Sequence, residues 1–264
     1  MIETELHRPT LRVLDILESV SAADEGLTLT EIAAAIGASK STIFPVIKSL
    51  VSRKYVHLNA KSLRYSPGVA CLALAGASTE RTGWVRLVTE EMQRVVAVCD
   101  EVCQLGILDG ENVLYIGKVE SRKAVRLVSH VGKRLPAAAA ALGKAMIHEF
   151  SDERIAAMYP DGLPAITPFS ITSFAELRRH LDAVRDKGYA VDDRELNEET
   201  RCYAVPLRHH GTIVAALSVS LPVFRATGEK TARIIDTLFE AQASIERLFA
   251  SSDEVDLFDG AVSV

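Results

Sequence analysis

The sequence predicts an α+β fold with a mainly antiparallel sheet, preceded by a winged helix-turn-helix. Three observations carry that prediction. Helical and strand periodicities are interleaved along the chain. The strand-like runs pair through short turns, as hairpins rather than as a doubly wound parallel sheet. The first seventy residues hold two short helical patterns across a glycine-containing turn, followed by a hairpin. With 264 residues, 48% hydrophobic and 25% charged, the chain suits one large or two modest domains and is no disordered, collagen-like or disulfide-scaffold protein. No apolar run approaches the roughly 20 residues of a membrane span. The acidic start Met1-Ile2-Glu3-Thr4-Glu5 lacks the basic and apolar regions of a secretory leader. The four cysteines are therefore expected to be reduced thiols of a cytoplasmic protein.

Pro9-Thr10 precedes Leu11, Val13, Leu14, Ile16, Leu17 and Val20, an apolar face at helical spacing that Thr10 can cap. Thr28-Leu29-Thr30-Glu31 has the form of a capping box. It opens a short helix with Ile32, Ala33 and Ile36 inward and Gly37 as its stop. A third helix runs to about Val51 and buries Ile43, Val46, Ile47 and Leu50. A proline deep in a helix removes a hydrogen bond and clashes with the preceding turn. Ser41 is therefore favoured over Ser39 as N-cap, which keeps Pro45 in the first turn. Tyr55-Val56-His57-Leu58 and Leu63-Arg64-Tyr65 alternate about a polar turn at residues 59–62, which reads as the wing.

In such a unit the third helix enters the DNA major groove with its N-terminal side chains toward base edges. Those are Ser39, Lys40, Ser41, Thr42 and Phe44; Lys40 and Lys48 suit phosphates, and Lys61 and Arg64 on the wing suit the backbone or minor groove. Charge supports this. From Ile32 to Thr79 there is no Asp or Glu, yet the stretch carries Lys40, Lys48, Arg53, Lys54, Lys61 and Arg64. At the chain's average acid content those 48 positions would hold about six carboxylates. A polyanionic partner, double-stranded DNA, explains their absence even though the whole chain has a net charge of −5.

Residues 71–77 are small and apolar, and Trp84, Val85, Leu87, Val88, Met92, Val95 and Val96 mark a further amphipathic helix. Residues 1–75 are read as the DNA-binding domain, 76–98 as linker helices, 99–250 as a second domain and 251–264 as an acidic, frayed tail. Apolar runs at 102–108 and 113–119 flank the hairpin turn Asp109-Gly110. Residues 125–129 read as a strand, 136–150 as an alanine-rich helix, 151–158 as a short helix and 160–168 as a loop. Ser173-Phe174-Ala175-Glu176 reads as a second capping box, opening a helix that stops at Gly188. Strands follow at 189–191, 202–207 and 213–221, the last two joined across residues 209–211. Thr227 caps a final amphipathic helix to about Phe249.

The strand at 214–221 puts Val214, Ala216, Ser218 and Ser220 on one face and Ala215, Leu217, Val219 and Leu221 on the other. Its two hydroxyls fit either a small polar pocket or a solvent-facing edge. Catalytic and metal motifs are absent from the pattern. Ala141-Leu142-Gly143-Lys144-Ala145 lacks the spacing of a phosphate loop. Cys99 and Cys103 have no second ligand pair. His209-His210 reads as an exposed hairpin tip, and Cys202 as a buried thiol with no base beside it. Asp192-Asp193 point apart, toward a ligand or into a solvated turn. No catalytic residue, metal or cofactor is expected.

The chain resembles the IclR family of bacterial transcriptional regulators from about Arg8 to Phe249. The resemblance is carried by Leu14-Asp15-Ile16-Leu17-Glu18, by Leu27 to Ala33, by Ser39-Lys40-Ser41-Thr42 and by Tyr65-Ser66-Pro67-Gly68. Leu135-Pro136 and Ala141 to Ala145 extend it. Its most specific part is Gly188-Tyr189-Ala190-Val191-Asp192-Asp193-x-Glu195, followed by Arg201-Cys202 and Ala215 to Ser220. The resemblance implies a winged helix-turn-helix joined by a linker helix to a GAF-like effector-binding and oligomerisation domain. It implies homodimers or tetramers, no catalysis, and a small metabolite, commonly an organic or aromatic acid. That effector modulates DNA binding or contact with RNA polymerase. The matching effector positions are Ala141, Leu142, Asp192, Cys202, Ser218 and Ser220. Ala138 and Ala140 stand where the family usually has histidine and Ser or Thr, which implies a more apolar effector or a vestigial pocket. Leu221 stands in place of the usual glycine, and Pro45 in place of a polar residue. Two other readings compete: a small-molecule enzyme with an appended winged helix, for which no acid/base pair is visible, and a regulator whose C-terminal domain only oligomerises.

Overall fold

The computed structural model describes residues 6–250 apart from Asp24, Thr82 and Val128, and without the side chains of residues 77–83. It divides into two compact units, Met1–Arg81 and Thr82–Val264.

The first unit holds α1 (Arg8–Ala22), β1 (Leu27–Thr28), α2 (Leu29–Ala35), α3 (Lys40–Ser52), β2 (Val56–Asn59), β3 (Arg64–Pro67) and α4 (Val69–Arg81). Helix α1 begins before the expected Thr10 cap. His7 is its N-cap without a side-chain capping bond, and proline sits in the first turn, where its missing N–H costs nothing. The capping box at Thr28 forms as expected: Glu31 N donates to Thr28 Oγ1 (3.3 Å) and Thr28 N to Glu31 Oε2 (2.7 Å). Helix α2 ends in a Schellman turn. Gly37, at φ 60°, donates to Ala34 O, and Ala38 N donates to Ala33 O. That turn fixes the start of α3 at Ser39, whose Oγ accepts from Thr42 N at 3.2 Å. The expectation of Ser41 as N-cap is thereby corrected. Pro45 lies inside the helix, exposed, and the hydrogen bond it forgoes is one of a single turn.

Ile16, Val20, Ile32, Ile43, Ile47, Val56 and Tyr65 form the core of this unit. Burying each apolar side chain of this size contributes roughly 1.5–3 kcal/mol. Strand β3 pairs with β2 in the expected hairpin and also with β1, giving the order β1-β3-β2. The two residues of β1 are too few to show a period in the sequence.

The second unit holds α5 (Gly83–Cys99), β4 (Val102–Asp109), β5 (Asn112–Val119), β6 (Arg134–Pro136), α6 (Ala141–Ile147), α7 (Asp152–Met158), α8 (Phe174–Lys187), β7 (Ala190–Asp193), β8 (Thr200–His209), β9 (Thr212–Pro222) and α9 (Gly228–Ala250). Its six strands run β6-β5-β4-β9-β8-β7, every pair antiparallel. The central β9 has 11 residues; the edges β6 and β7 have 3 and 4. Alternation along β9 sends Leu217, Val219 and Leu221 into a core with Val88 and Met92 of α5 and Ile234 and Leu238 of α9. Ala216 points to the opposite core, with Leu142 and Ala145 of α6 and Leu177 and Leu181 of α8.

Three expectations fail here. Residues 125–127 and 129 are not a strand, Val128 lying outside the described residues; the strand that pairs with β5 is Arg134–Pro136. The helix read over 136–150 is confined to Ala141–Ile147, because residues 137–140 form a buried turn. Tyr159 Oη accepts from Ala138 N (2.9 Å) and donates to Glu111 O (2.6 Å), which pins that turn. Gly143 packs directly on it: a Cβ there would lie 2.2 Å from Ala137 O. Alanine is used at this turn for its small size rather than its helix propensity. Finally, Ser173 is the N-cap of α8 but makes no side-chain capping bond. The expected cap at Thr227 does form, its Oγ1 accepting from Lys230 N at 3.3 Å.

Candidate nucleic-acid and effector sites

Helix α3 buries Ile43, Ile47 and Leu50 and so turns Lys40, Ser41, Phe44, Pro45 and Lys48 outward. Phe44 is 51% exposed. It has Lys40 and Lys48 one turn to either side. At the helix start, Ser39 Oγ lies 2.9 Å from Ser41 Oγ and 2.7 Å from Thr42 Oγ1. Ser39 is thus tied up as the cap, while Ser41 and Thr42 remain exposed at the positive end of the helix dipole. Lys40, Lys48 and Lys61 make no ion pair among the described residues. The wing turn is ordered by Asn59 Oδ1, which accepts from Lys61 N (3.0 Å) and Ser62 N (3.2 Å). Arg64 differs from the other predicted contacts. Its Nη1 donates to Gly26 O at 2.7 Å and pairs with Glu31 at 3.2 Å. Glu31 is held below the usual carboxylate range by the Thr28 bonds first and by Arg64 second. Arg64 therefore fastens the wing to α2.

In the second unit, cross-strand register gathers the predicted effector residues. Asp192, Cys202 and Ser220 are direct neighbours across β7, β8 and β9. The next row on the same face runs Ala190, Ala204, Ser218, Gln104 and Lys118. Leu142 and Ala141 of α6 pack over this face. Both serines are 2% exposed, which settles their direction: they are not a solvent edge. Gln104 Oε1 accepts from Ser218 Oγ and Ser220 Oγ at 3.1 Å each, and Ser220 Oγ lies 3.0 Å from Cys202 Sγ. Burial pushes the Cys202 thiol up and so disfavours its thiolate.

Beside this row lies a buried charge cluster. Lys144 of α6, 1% exposed, pairs with Glu195 Oε1. Asp192 Oδ1 accepts from Glu195 N at 2.8 Å. Burial raises the Asp192 carboxyl and pushes Glu195 up to about 7, Lys144 opposing both. The remaining oxygen, Glu195 Oε2, has no hydrogen-bond partner. As alternation predicts, Asp193 points the other way, into a bidentate pair with Arg201 (3.0 and 2.7 Å).

Spacing alone did not single out Gln104, Lys118, Lys144 or Glu195 as site residues. For Gln104 a signal existed: it is the one polar side chain in the apolar run 102–108. The histidine pair lies at the expected hairpin tip, with His210 exposed in the turn and His209 half-buried. His209 ends β8, stacks 4.0 Å from His210 and meets Phe249 edge-on at 6.3 Å. Cys99 and Cys103 are buried free thiols, and no three metal-ligating side chains gather among the described residues. Nor is any helix among them long and apolar enough to cross a membrane.

A winged helix that presents Lys40, Lys48 and Lys61 without ion pairs among the described residues, and a helix-covered sheet with a polar cluster at its centre, define a DNA-binding transcriptional regulator with a C-terminal effector domain. Residues 9–60 match the IclR helix-turn-helix domain, and residues 77–247 match the bacterial transcriptional regulator IclR C-terminal domain. The chain belongs to the IclR family. It is 30% identical to the HTH-type transcriptional regulator XynR of Escherichia coli strain K12, over 89% of this chain and 94% of that protein. The IclR transcriptional regulator from Alicyclobacillus acidocaldarius superimposes with a TM-score of 0.81 at 27% identity, over 92% of this chain and 99% of that one. An IclR homologue from Microbacterium hydrocarbonoxydans, complexed with 4-hydroxybenzoate, shares the fold at 24% identity and a TM-score of 0.76, over 92% and 99%. These relatives are regulators, and this chain is a regulator rather than an enzyme.

Proposed function

We propose that this regulator binds a double-stranded operator through α3 and the wing, and that a small organic or aromatic acid bound in residues 99–250 alters that binding or a contact with RNA polymerase. Ser41, Thr42 and Phe44 face the bases, and Lys40, Lys48 and Lys61 face phosphates. Residues 1–75 act as the DNA-binding domain and 76–98 as the linker, in a cytoplasmic homodimer or tetramer. The effector acts by population shift: it must bind one arrangement of the assembly better than another. The observation that carries the effector reading is the convergence of Asp192, Cys202, Ser218 and Ser220 on one sheet face beneath Ala141 and Leu142. The 4-hydroxybenzoate in the Microbacterium homologue supports an acid as ligand.

The test is a gel-shift titration on DNA upstream of the chain's own gene, at two salt concentrations, with scrambled competitor and with candidate organic acids added. Selective, salt-sensitive retention that an acid alters is the expected result. Ser218→Ala with Ser220→Ala abolishes the acid's effect and leaves retention intact. Unselective retention with and without acids overturns the operator reading. The mutual bonding of Gln104 with both serines favours a second reading, a C-terminal domain that only assembles. Under that reading no acid raises the melting temperature, whereas an effector stabilises the folded state by mass action.

A further inference from the structure

We infer that Lys118 and Gln104 select an effector bearing a single carboxylate, which competes with Ser129 for their donors. The inference rests on the effector reading above and adds the groups that recognise the ligand. Lys118 and Gln104 are direct cross-strand neighbours, next to Ser218 in the row. Both reach Ser129. Lys118 Nζ donates to Ser129 O, and Gln104 Nε2 lies 3.5 Å from Ser129 Oγ, the outer limit of a hydrogen bond. Since Gln104 Oε1 is taken by two hydroxyls, its amide N–H₂ is the poorly used donor of a fully buried side chain. Lys118 is itself only 10% exposed.

The charge balance points the same way. Glu120 pairs with Lys118 at 2.6 Å and with Arg126 at 2.9 Å, so two cations share one carboxylate. A cavity of about 680 Å³ lies against this loop, bordered by Arg126 and Leu127. Its wall includes Thr200 and Pro222, the cross-strand pair one step beyond Cys202 and Ser220 on the same face. Glu198 and Glu199 also border it and place negative charge at that end, which disfavours a second carboxylate on the ligand. On the α6 side the side chains of Ala138 and Ala140 are methyl groups, whereas Lys118 and Gln104 supply donors from the sheet. A carboxylate is a stronger acceptor for an ammonium than the neutral Ser129 carbonyl. A ligand acid therefore takes Lys118 and the Gln104 amide and displaces Ser129 from both.

The test uses the full-length protein in a thermal melt with benzoate, 4-hydroxybenzoate and pyruvate at millimolar concentration. Benzamide, pyruvamide and terephthalate serve as uncharged and doubly charged counterparts. At least one monocarboxylate is expected to raise the melting temperature while its amide and terephthalate do not. Lys118→Met and Gln104→Met then weaken that acid about tenfold or more, the loss of one charge-assisted hydrogen bond, and Lys118→Arg retains most of the affinity. Should Lys118→Met lose its cooperative transition without ligand, Gln104→Met and Lys118→Arg carry the comparison. An acid shift unchanged in Lys118→Met and Gln104→Met overturns this inference and leaves the effector reading standing. An amide or terephthalate that binds as well as the acid likewise overturns the single-carboxylate selection. No shift with any probe overturns both.

Discussion

On the outer face of α3, Lys40, Ser41 and Lys48 stand in solvent with no ion pair among the described residues. On the inner face of the sheet, Gln104, Ser218, Ser220 and Lys118 are buried and bonded to one another or to Ser129. The two regions hold similar groups, and their surroundings give them opposite properties. An exposed cation keeps its hydration until a phosphate replaces it, so its contribution to binding is present for any sequence and falls with salt. A buried hydroxyl or amide without a partner is costly, so each must be satisfied before any ligand arrives. The cations of the helix face therefore attract without selecting. The sheet face selects by exchanging bonds it already has.

The largest effect expected from breaking this contrast is at Lys144. Lys144→Met removes the cation that offsets two buried carboxylates, Glu195 and Asp192. Breaking a buried pair costs about 3–5 kcal/mol, to be read as a lower denaturant midpoint for the C-terminal unit with operator binding by the N-terminal unit retained. A pH series probes the same cluster. Glu195 titrates near 4.5 when unfolded and at about 7 when folded. Between these values the folded chain keeps a proton that the unfolded chain has lost. The stability it contributes is complete below about pH 4.5 and declines as pH rises toward 7. Asp192 is shifted in the same direction. Urea unfolding from pH 5 to 7 should show that decline, and Glu195→Gln should flatten it.

On the helix face the effects are smaller and of another kind. Thr42→Ala should change base preference at one position, by about 1–3 kcal/mol if its hydroxyl reads a base edge; an unchanged profile across a randomised site library removes it from the reading set. Lys48→Ala should weaken all sequences alike and reduce the salt slope by about one unit. A sequence-selective loss would contradict its phosphate role.

Local signals in the sequence were legible where the chemistry is local. The Thr28 box forms as spacing predicts because cap and carboxylate are three residues apart. The same pattern at Ser173 lacks its bond, so the pattern permits a cap without enforcing one. Residues 137–140 misled because alanine is at once the best helix former and the smallest side chain with a Cβ, and here packing against Gly143 uses the second property. Pro45 misled because propensity ranked Ser41 above Ser39, whereas the preceding Schellman turn had already fixed the cap. Much of the sheet face was readable from the period of two in β9, and the family resemblance pointed to the same serines. Lys118 was not readable: nothing in its own strand places it beside Gln104, and only the β4–β5 register does so.

The lengths of the strands bear on how copies of this chain can meet. The two edges of the six-stranded sheet, β6 and β7, have only 3 and 4 residues. Neither edge strand is long enough to template more than a few residues from another chain, and β7 ends at Asp193, which pairs with Arg201. β6 covers only Asn112–Leu114 of β5, and β7 only Arg201–Ala204 of β8, so each flat edge is short. Crowded or newly made chains lack the long flat edge that seeds fibrils. Assembly through side-chain surfaces remains open to them, with contacts that can loosen and re-form as a ligand comes and goes.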